Sequence, residues 1–298
     1  MSKAKTHYTR RQALKFARMI TEAPLTELAR YARNQARKNT GKGWRKVFYK
    51  LWRWLESGDL SASLPWSVFA AGGNTKLPFF AFSSLPIVTC PGMGECGKYC
   101  YSLRAWRYPD AFMRQVQNTI LLRFDRRAIT RAFRLIPGGL TLRLYVDGDF
   151  DSVETLTYWF RMIGQRLDLS VYGYSKSWRE FLEYSDAGGV VPQNYMLNLS
   201  SGSKHDAQTL ERMRELDCVR GEFVAVPIDG RDLPGGFKRY ESPEYHRRVR
   251  QSAKENGYGK VFSCPGTCGT CTGAGHACGQ QREDGTPLVS LTIAIGVH

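Results

Sequence analysis

The sequence has no long hydrophobic run, few histidines and few acidic residues near its start. Its apolar runs are too short to span a membrane, so we expect no stable membrane insertion. The basic, amphipathic start is atypical of a signal peptide, which predicts a cytoplasmic protein. A hydrophobic share of 42% with 23% charged residues excludes wholesale disorder, and a length of 298 residues excludes a small disulfide-stapled fold.

The shortage of acidic residues is concentrated at one end of the chain. Residues 1–55 contain 15 lysines and arginines but only Glu22 and Glu27, which gives this segment a net charge of +13. The remaining residues carry a net charge of only +3, of a total of +16. Such an asymmetry indicates a polyanionic partner, for which nucleic acid is the first candidate and an anionic membrane surface the second.

The basic segment has the periodicity of three amphipathic helices. Thr9 and Gln12 form a capping-box pattern that begins a helix to about Ile20, a second helix begins near Pro24, and a third has its apolar stripe between Trp44 and Leu55. We predict that residues 1–60 form a basic helical extension that binds nucleic acid. The predicted contacts are Arg10, Arg11, Lys15, Arg33, Arg37, Lys38, Arg45, Lys46 and Lys50. Two alternatives are a solvated helix surface and, for the third helix, a membrane-surface role.

The rest of the chain, residues 75–298, alternates between short apolar runs and helical patterns. Strands are predicted at 77–82, 140–146, 169–174, 195–199, 223–227 and 288–295, with helices at 110–135, 153–167, 177–184, 206–216 and 243–255. Strand followed by helix, repeated, predicts a parallel sheet with right-handed crossovers. About six such strands suggest an α/β partial barrel, in which functional groups collect at the carboxyl ends of the strands.

Seven of the eight cysteines fall in two short segments. The first segment contains Cys90, Cys96 and Cys100, and the second contains Cys264, Cys268, Cys271 and Cys278. Clustered thiols in a cytosolic chain are typical of metal ligands, and the neighbouring glycines and prolines allow backbone amides to turn toward sulfur. The remaining cysteine, Cys218, is interpreted as a core thiol.

The spacing of the cysteines bears on the metal. Five and three residues separate the first three, and three, two and six separate the last four, so only one Cys-x-x-Cys pair is present. A zinc ribbon has two such pairs, and the irregular spacing favours an iron–sulfur cluster, of 4Fe–4S type, over zinc. The two segments could share one four-thiolate cluster, or form two sites with His276 as a further ligand.

Two further patterns raise catalytic hypotheses. Asp147 and Asp149 follow a buried strand and could hold Mg²⁺ or Mn²⁺ for cleavage of DNA by a nuclease or nickase. The structural alternative is that Asp151 or Ser152 caps the next helix and Asp149 stabilises the turn. Tyr174 with Lys176 could attack a DNA phosphate, but the sequence lacks the histidine motif of rolling-circle initiators. The alternative is a strand aromatic and a surface lysine.

The segment after the first cysteines is rich in arginine and aromatic residues. Arg104 and Arg107 are interleaved with Tyr101, Trp106 and Tyr108, and arginines continue to residue 134. Guanidinium groups grip phosphates and aromatic rings stack on bases. We therefore predict that Arg104 and Arg107 extend a nucleic-acid groove beside the first cysteine segment, the alternative being a solvated helix face.

The order of these motifs resembles a known family. TCPGMGECGKYCYSLRAWRYP, LYVDGDFDS, VYGYSKSW, NYMLNLSSGS and the last cysteine segment together resemble the gene product eighty-eight family of phages and mobile elements, over residues 77–280. The resemblance implies a cysteine-bound iron–sulfur or related metal site in a protein of viral or plasmid origin, in a bacterial host. It implies no established reaction.

A more distant similarity is to the partial barrels of radical S-adenosylmethionine enzymes, which place three cluster cysteines after the first strand. Their spacing of three and two residues differs from that of Cys90, Cys96 and Cys100. The sequence therefore gives little support to S-adenosylmethionine as a cofactor, and a radical enzyme is kept as an alternative. The main hypothesis is a DNA-binding iron–sulfur protein that acts in replication or processing of the element's DNA. A zinc-stapled, non-catalytic nucleic-acid-binding protein is the second alternative.

Overall fold

The fold is described from a computed structural model of the chain. It describes residues 8–39, 41–71, 78–98, 100–236, 238–269, 271–272 and 274–297. The start of the predicted basic extension, residues 1–7, and the predicted first residue of the first strand, Leu77, lie outside these ranges. None of the helices within them has the length and apolar character needed to cross a bilayer.

Three helices form the basic extension, as the periodicity predicts. They are α1 (Arg10–Glu22), α2 (Leu25–Lys38) and α3 (Lys42–Glu56). The predicted capping box is present, because the Gln12 backbone N–H donates to Thr9 Oγ1 (3.3 Å) and the Thr9 N–H donates to Gln12 Oε1 (2.8 Å). These two bonds satisfy donors that the first turn of a helix otherwise leaves unpaired.

The body is an α/β fold built on one parallel sheet, which confirms the predicted fold class. In the described residues its strands are β1 (Phe80–Ala81), β2 (Thr141–Leu144), β3 (Ser170–Ser175), β4 (Tyr195–Ser200), β5 (Val219–Pro227), β6 (Val261–Ser263) and β7 (Thr292–Val297). They lie in the order β1-β2-β3-β4-β5-β7-β6, and every neighbouring pair is parallel. The open sheet is consistent with a partial barrel. The sequence did not predict β6, because three residues are too short a run to register as a strand.

Within the described part of the chain, six further helices and three 3₁₀ turns connect the strands. The helices are α4 (Pro109–Phe124), α5 (Arg127–Arg134), α6 (Val153–Gly164), α7 (Trp178–Asp186), α8 (Ala207–Arg214) and α9 (Pro243–Glu255). The turns span Glu95–Lys98, Tyr101–Arg107 and Lys238–Glu241. The single helix predicted at 110–135 is wrong, since Asp125 has extended backbone and its carboxylate accepts the Arg127 N–H at 3.1 Å. An aspartate that bonds nearby backbone in this way interrupts a helix.

The three basic helices share one hydrophobic core with the body. The Trp44 ring of α3 lies 5.9 Å from the Phe112 ring of α4. The Arg123 guanidinium of α4 donates to the carbonyls of Ile20 and Ala23 at the end of α1, both at 2.7 Å. These contacts bind the basic helices firmly to the body.

A loop from the end of the chain covers one face of the sheet. This inner face carries Tyr172 of β3, which packs with Ala277 and Cys278 of the loop, whereas the opposite face packs against the helices. The His276 ring lies 4.8 Å from Phe79, just before β1, and the Asn198 side chain of β4 donates to the Cys278 carbonyl at 2.8 Å. The second cysteine segment therefore reaches back to the first strand.

Candidate functional site

The first cysteine segment lies at the carboxyl ends of β1, β3 and β4. The backbone N–H groups of Gly94 and Cys96 donate to the Gly202 carbonyl at 3.2 and 3.4 Å, and the Lys204 N–H donates to the Gly92 carbonyl at 3.1 Å. A side chain on Gly92 is excluded, because a Cβ there would lie 1.5 Å from the Lys176 carbonyl oxygen. The loop is thus held on the same edge of the sheet as the residues that follow β3 and β4.

Within this segment, the Cys90 thiol is near enough to Asp149 and to Cys100 to feel the charge of each. Burial raises the pKa of the Cys90 thiol, and the nearby negative groups act in the same direction. The Cys90 thiol therefore stays protonated unless a cation or a metal ion stabilises its thiolate.

The second segment brings its four predicted ligands into one neighbourhood. Cys264 interacts with Cys278, Cys268 and Cys271. The Gly266 N–H donates to Cys264 Sγ at 3.4 Å, and the Ala277 N–H donates to Cys271 Sγ at 3.2 Å. Backbone amides are therefore turned toward sulfur, as expected for a loop that wraps a thiolate site.

Of the thiols in the second segment, Cys278 is buried, and Cys264, Cys268 and Cys271 are partly buried. Burial raises the pKa of Cys264 to about 12 and that of Cys278 to about 11. All eight cysteines are thiols, and Cys218 lies in the core as predicted. In the part of the chain that the structure describes, no three His, Cys, Asp or Glu side chains are grouped as metal ligands.

In the described residues, two buried polar atoms near the second segment, Arg143 Nε and His276 Nδ1, have no hydrogen-bond partner. Tyr172 lies beside Cys268, its ring is 5.1 Å from His276, and Arg143 is its register partner on β2. Buried polar atoms are rarely left unpartnered, so such a group indicates a missing polar partner. Arg143 Nε is a hydrogen-bond donor, which suits a sulfur-rich, negatively charged group.

Two arginines place positive charge next to these thiols. Arg143 lies beside Cys268, with its guanidinium 4.5 Å from the centre of the Tyr174 ring. Arg220 lies beside Cys278 and donates to Asn198 Oδ1 at 2.5 Å. Buried cations require compensating negative charge, and thiolates would supply it. These two arginines would therefore offset the negative charge of thiolates at Cys268 and Cys278.

The carboxylates predicted to hold a divalent metal have separate protein partners. Asp149 accepts from Phe150 N–H (2.9 Å), Ser175 Oγ (2.7 Å) and Lys176 N–H (2.8 Å). Asp147 accepts from Gln115 Nε2 at 2.9 Å. Burial raises the pKa of both carboxyl groups. Asp149 thus stabilises the turn, which is the structural alternative stated above.

The adjacent helix has its own cap. Ser152 Oγ accepts from the Thr155 N–H at 3.2 Å at the start of α6. Asp151 is exposed, and the helix cap is Ser152. Of the two residues proposed for this role from the sequence, the structure selects the serine.

The surroundings of Tyr174 and Lys176 differ from those expected for a nucleophilic tyrosine and a lysine that stabilises the charge of the phosphate. The Tyr174 ring lies 4.8 Å from the Phe223 ring, and its hydroxyl lies beside Cys278. Burial, followed by the neighbouring Cys278 thiol, raises the pKa of Tyr174 well above its usual value. Lys176 contributes its backbone N–H to Asp149. These surroundings favour a role in which the Tyr174 hydroxyl donates a hydrogen bond to the sulfur of Cys278.

The predicted nucleic-acid contacts on the basic helices are all exposed. In the described ranges, none of the nine forms an ion pair: Arg10, Arg11, Lys15, Arg33, Arg37, Lys38, Arg45, Lys46 and Lys50. Among the described residues, an ion pair on these helices joins Arg53 to Glu56. We call the exposed cations of α1, α2 and α3 the basic surface.

The arginines after the first cysteine segment divide into two groups. Arg104 and Arg107 are exposed, as a groove would require, whereas Trp106 is buried and donates to Gln115. Arg123 is structural, because its guanidinium donates to carbonyls at the end of α1.

Sequence reasoning missed Arg143 and Arg220. The signal was present, because each is an arginine inside a strand, alone among charged residues in TLRL and followed by Glu222 in VRGEFVAVP. Charged residues are rarely buried unless they are paired, so an arginine on a covered strand points to a partner on that face.

The comparisons with known proteins give one match. The family described as gene product 88 matches residues 66–277, which is more than half of the chain. No curated protein and no solved structure matches the sequence. The matched range includes both cysteine segments except Cys278, together with the strand ends that surround the first of them. The chain therefore belongs to the gene product 88 family.

Proposed function

We propose that this protein binds DNA through the basic surface and holds an iron–sulfur cluster on its second cysteine segment. The observation that carries the binding proposal is the set of nine exposed cations without an ion-pair partner in the described residues. In this proposal the protein acts in replication or processing of the DNA of a phage or plasmid, in the cytoplasm of its bacterial host.

The geometry of the basic surface supports binding to phosphates. The helices that carry it bury their apolar faces in the common core, so the cations are presented on a fixed support. Lysines and arginines that neutralise phosphates release counterions from DNA, and the affinity then falls steeply with salt concentration. A merely solvated helix surface would bind DNA weakly, without a defined number of contacts.

The cluster proposal is supported by the surroundings of the thiols. Two sulfur atoms accept backbone N–H groups, and Arg143 and Arg220 lie next to Cys268 and Cys278. When bound, an iron–sulfur cluster supplies one-electron redox chemistry, and its binding also stabilises the loop that holds it. Hydrogen bonds and positive charge around the sulfur atoms would favour the more negative, reduced state.

The contacts of the carboxylates favour the binding version over the hydrolytic one. The Asp149 carboxylate accepts hydrogen bonds from three donors of the chain, and the Asp147 carboxylate accepts one from Gln115. A nuclease that uses Mg²⁺ or Mn²⁺ would need both carboxylates free to share one cation. Incubation of supercoiled DNA with Mg²⁺ or Mn²⁺ is expected to leave it intact. Nicking that Asp147→Asn abolishes would establish the nuclease instead.

Substitutions on the basic surface test the binding proposal. A triple variant, Arg37→Gln with Lys38→Gln and Arg45→Gln, is compared with a control triple of exposed cations of the body, Arg161→Gln with Lys254→Gln and Lys260→Gln. Salt titration should show that the first triple lowers the slope of log K against log salt by up to about 3, at about 0.9 per lost phosphate contact. Equal effects of the two triples would overturn the proposal.

Elemental analysis tests the cluster proposal. Iron and acid-labile sulfide are measured on anaerobically purified protein, for the wild type and for Cys264→Ser, Cys268→Ser, Cys271→Ser and Cys278→Ser. Each of these substitutions should lower the iron content, whereas Cys218→Ser, in the core, should not. Zinc in place of iron and sulfide would support the zinc-stapled alternative. Iron together with reductive cleavage of added S-adenosylmethionine would support the radical enzyme.

A further inference from the structure

We propose that the DNA bound by this protein is single-stranded, and that Tyr49 and Tyr108 stack on its bases. This inference rests on the proposed function, because it names the form of nucleic acid that the basic surface takes. The observation behind it is the location of the exposed aromatic side chains. Within the described ranges, the tyrosines and tryptophans that are more than half exposed are Tyr49, Tyr101 and Tyr108.

Tyr49 lies in the middle of the exposed stripe of α3. Helical periodicity places it on the same face as Lys42, Lys46 and Arg53. Its ring is 52% exposed and packs edge-on against Trp52, with 5.5 Å between the ring centres. The apolar face of α3 is already buried in the core. The packing of α3 therefore does not explain why an aromatic ring lies on the charged side of this helix.

Trp52 joins this ring to the guanidinium groups around it. The guanidinium carbons of Arg33 and Arg53 lie 5.4 and 5.7 Å from the centre of the Trp52 ring. Guanidinium groups stacked on aromatic rings form flat platforms on which a base can stack. Tyr49 and Trp52, with these two arginines, therefore form an aromatic platform within the basic surface.

A second pair of exposed rings follows the first cysteine segment. Tyr108 is 57% exposed, with the Arg107 guanidinium 5.2 Å from its ring centre, and Tyr101 is 62% exposed. They stand at the two ends of the 3₁₀ turn that leads away from Cys100. Both rings are accessible, unlike that of Trp106 between them, which is 3% exposed.

The two aromatic regions meet at the start of α3. A Cβ placed on Gly43 would lie 3.5 Å from Pro109 Cγ, so the first turn of α3 touches the residue that follows Tyr108. Lys42 and Arg45 are exposed on this turn. Exposed rings and cations thus continue from α3 to the first cysteine segment.

This combination fits a single strand better than a duplex. The faces of bases are accessible in a single strand, and stacking on aromatic side chains is the usual way in which proteins bind it. In a duplex the bases stack on one another and the exposed rings would meet only the backbone. Cations alone would serve both forms, so the exposed tyrosines are what distinguishes them.

The test compares the affinities of one labelled strand and its duplex, at the same salt concentration, for the full-length protein. Tyr49→Ala and Tyr108→Ala should each weaken binding of the single strand by about 5- to 100-fold, the range expected for loss of one stacked base. They should leave duplex affinity within about twofold, since the phosphate contacts remain. Tyr49→Phe should keep the wild-type affinity, because it retains the ring.

Two controls separate this inference from the proposed function. Lys46→Gln should weaken both forms and lower both salt slopes, and Leu135→Ala, which removes an exposed apolar side chain of the body, should change neither. Equal weakening of strand and duplex by Tyr49→Ala and Tyr108→Ala, or no effect of either, would overturn the inference while DNA binding stands. A wild type that binds neither form would overturn the proposed function itself.

Discussion

The Asp149 carboxylate accepts a 2.7 Å hydrogen bond from Ser175 Oγ, which links the loop after β2 to the end of β3. Both residues are buried, and the same carboxylate also accepts the Lys176 N–H. The sequence placed Asp149 among candidate metal ligands, and its contacts make it the residue that joins two neighbouring strand ends. The first cysteine segment lies against this junction, through Gly92 and Lys176.

Removing this carboxylate should destabilise the body. Asp149→Ala leaves the Ser175 hydroxyl and the Lys176 N–H without their acceptor, and we expect a loss of about 3 kcal/mol in the free energy of unfolding. Ser175→Ala should lose about 1 kcal/mol, and the double variant less than the sum of the two. Urea denaturation measures all three. Strictly additive losses would show that the two side chains do not interact.

Adding a methyl group at Gly92 should detach the first cysteine segment. The new Cβ would overlap the Lys176 carbonyl, which is backbone and cannot rotate away. We expect Gly92→Ala to lower the melting temperature and to speed alkylation of Cys90, followed by mass spectrometry. Gly235→Ala is the matched control, since a Cβ there meets nothing within 4 Å. Indistinguishable behaviour of the two variants would contradict the close approach.

Removing the positive charge of Arg143 should make the neighbouring thiol less reactive. Arg143 lies beside Cys268, and loss of a nearby cation raises a thiol pKa by roughly one unit. In metal-free, reduced protein, Arg143→Gln should therefore slow alkylation of Cys268 about tenfold at a given pH. The exposed Arg134→Gln is the control, and Cys96 is the internal reference. An unchanged rate of Cys268 alkylation would show that Arg143 does not affect the reactivity of this thiol.

His276 should make the protein sensitive to acid. Burial lowers the pKa of His276 to about 4, whereas the unfolded chain takes up a proton near 6.5. Between these values the unfolded state binds more protons, so stability is complete above about 6.5 and falls as the pH drops toward about 4, by at most about 3 kcal/mol.

His276→Gln should reduce this pH dependence. Denaturant unfolding at several pH values, for the wild type and the variant, measures the difference. Burial also lowers the pKa of His205 and His246, so some sensitivity to acid should persist in the variant. If the free energy of unfolding depended on pH equally in the wild type and in His276→Gln, the imidazole of His276 would bind a proton equally well in the folded and the unfolded chain.

Much of the fold could be predicted from local patterns. The capping box at Thr9, the apolar stripe of α3 and the alternation of strands and helices each depend on residues near one another in the chain, and the structure has these elements. The predictions were wrong where the local contacts or the shortness of a segment decided its structure against the hydrophobic periodicity. Asp125 interrupts a helix through one side-chain bond, and β6 is only three residues long.

The candidate site was predicted only in part. The spacing of the cysteines identified the thiols, but their neighbours depend on which side of each strand faces the loop. Arg143 and Tyr174 lie on adjacent strands far apart in the sequence, and their 4.5 Å contact exists only because β2 and β3 pair in this register. Trp106 shows the same limit, since burial removes it from a surface that its sequence neighbours do form.

The sequence by itself determined most of the secondary structure, the charge asymmetry and the clustering of thiols, because these follow from composition and short-range spacing. Only the tertiary structure decided that the last cysteine segment covers the inner face of the sheet, with Arg143 and Arg220 beside its sulfur atoms. It also decided which aromatic rings stay exposed among the cations. Both outcomes depend on contacts between distant parts of the chain, which form only when the sheet has set their register and the core has buried one face of each helix.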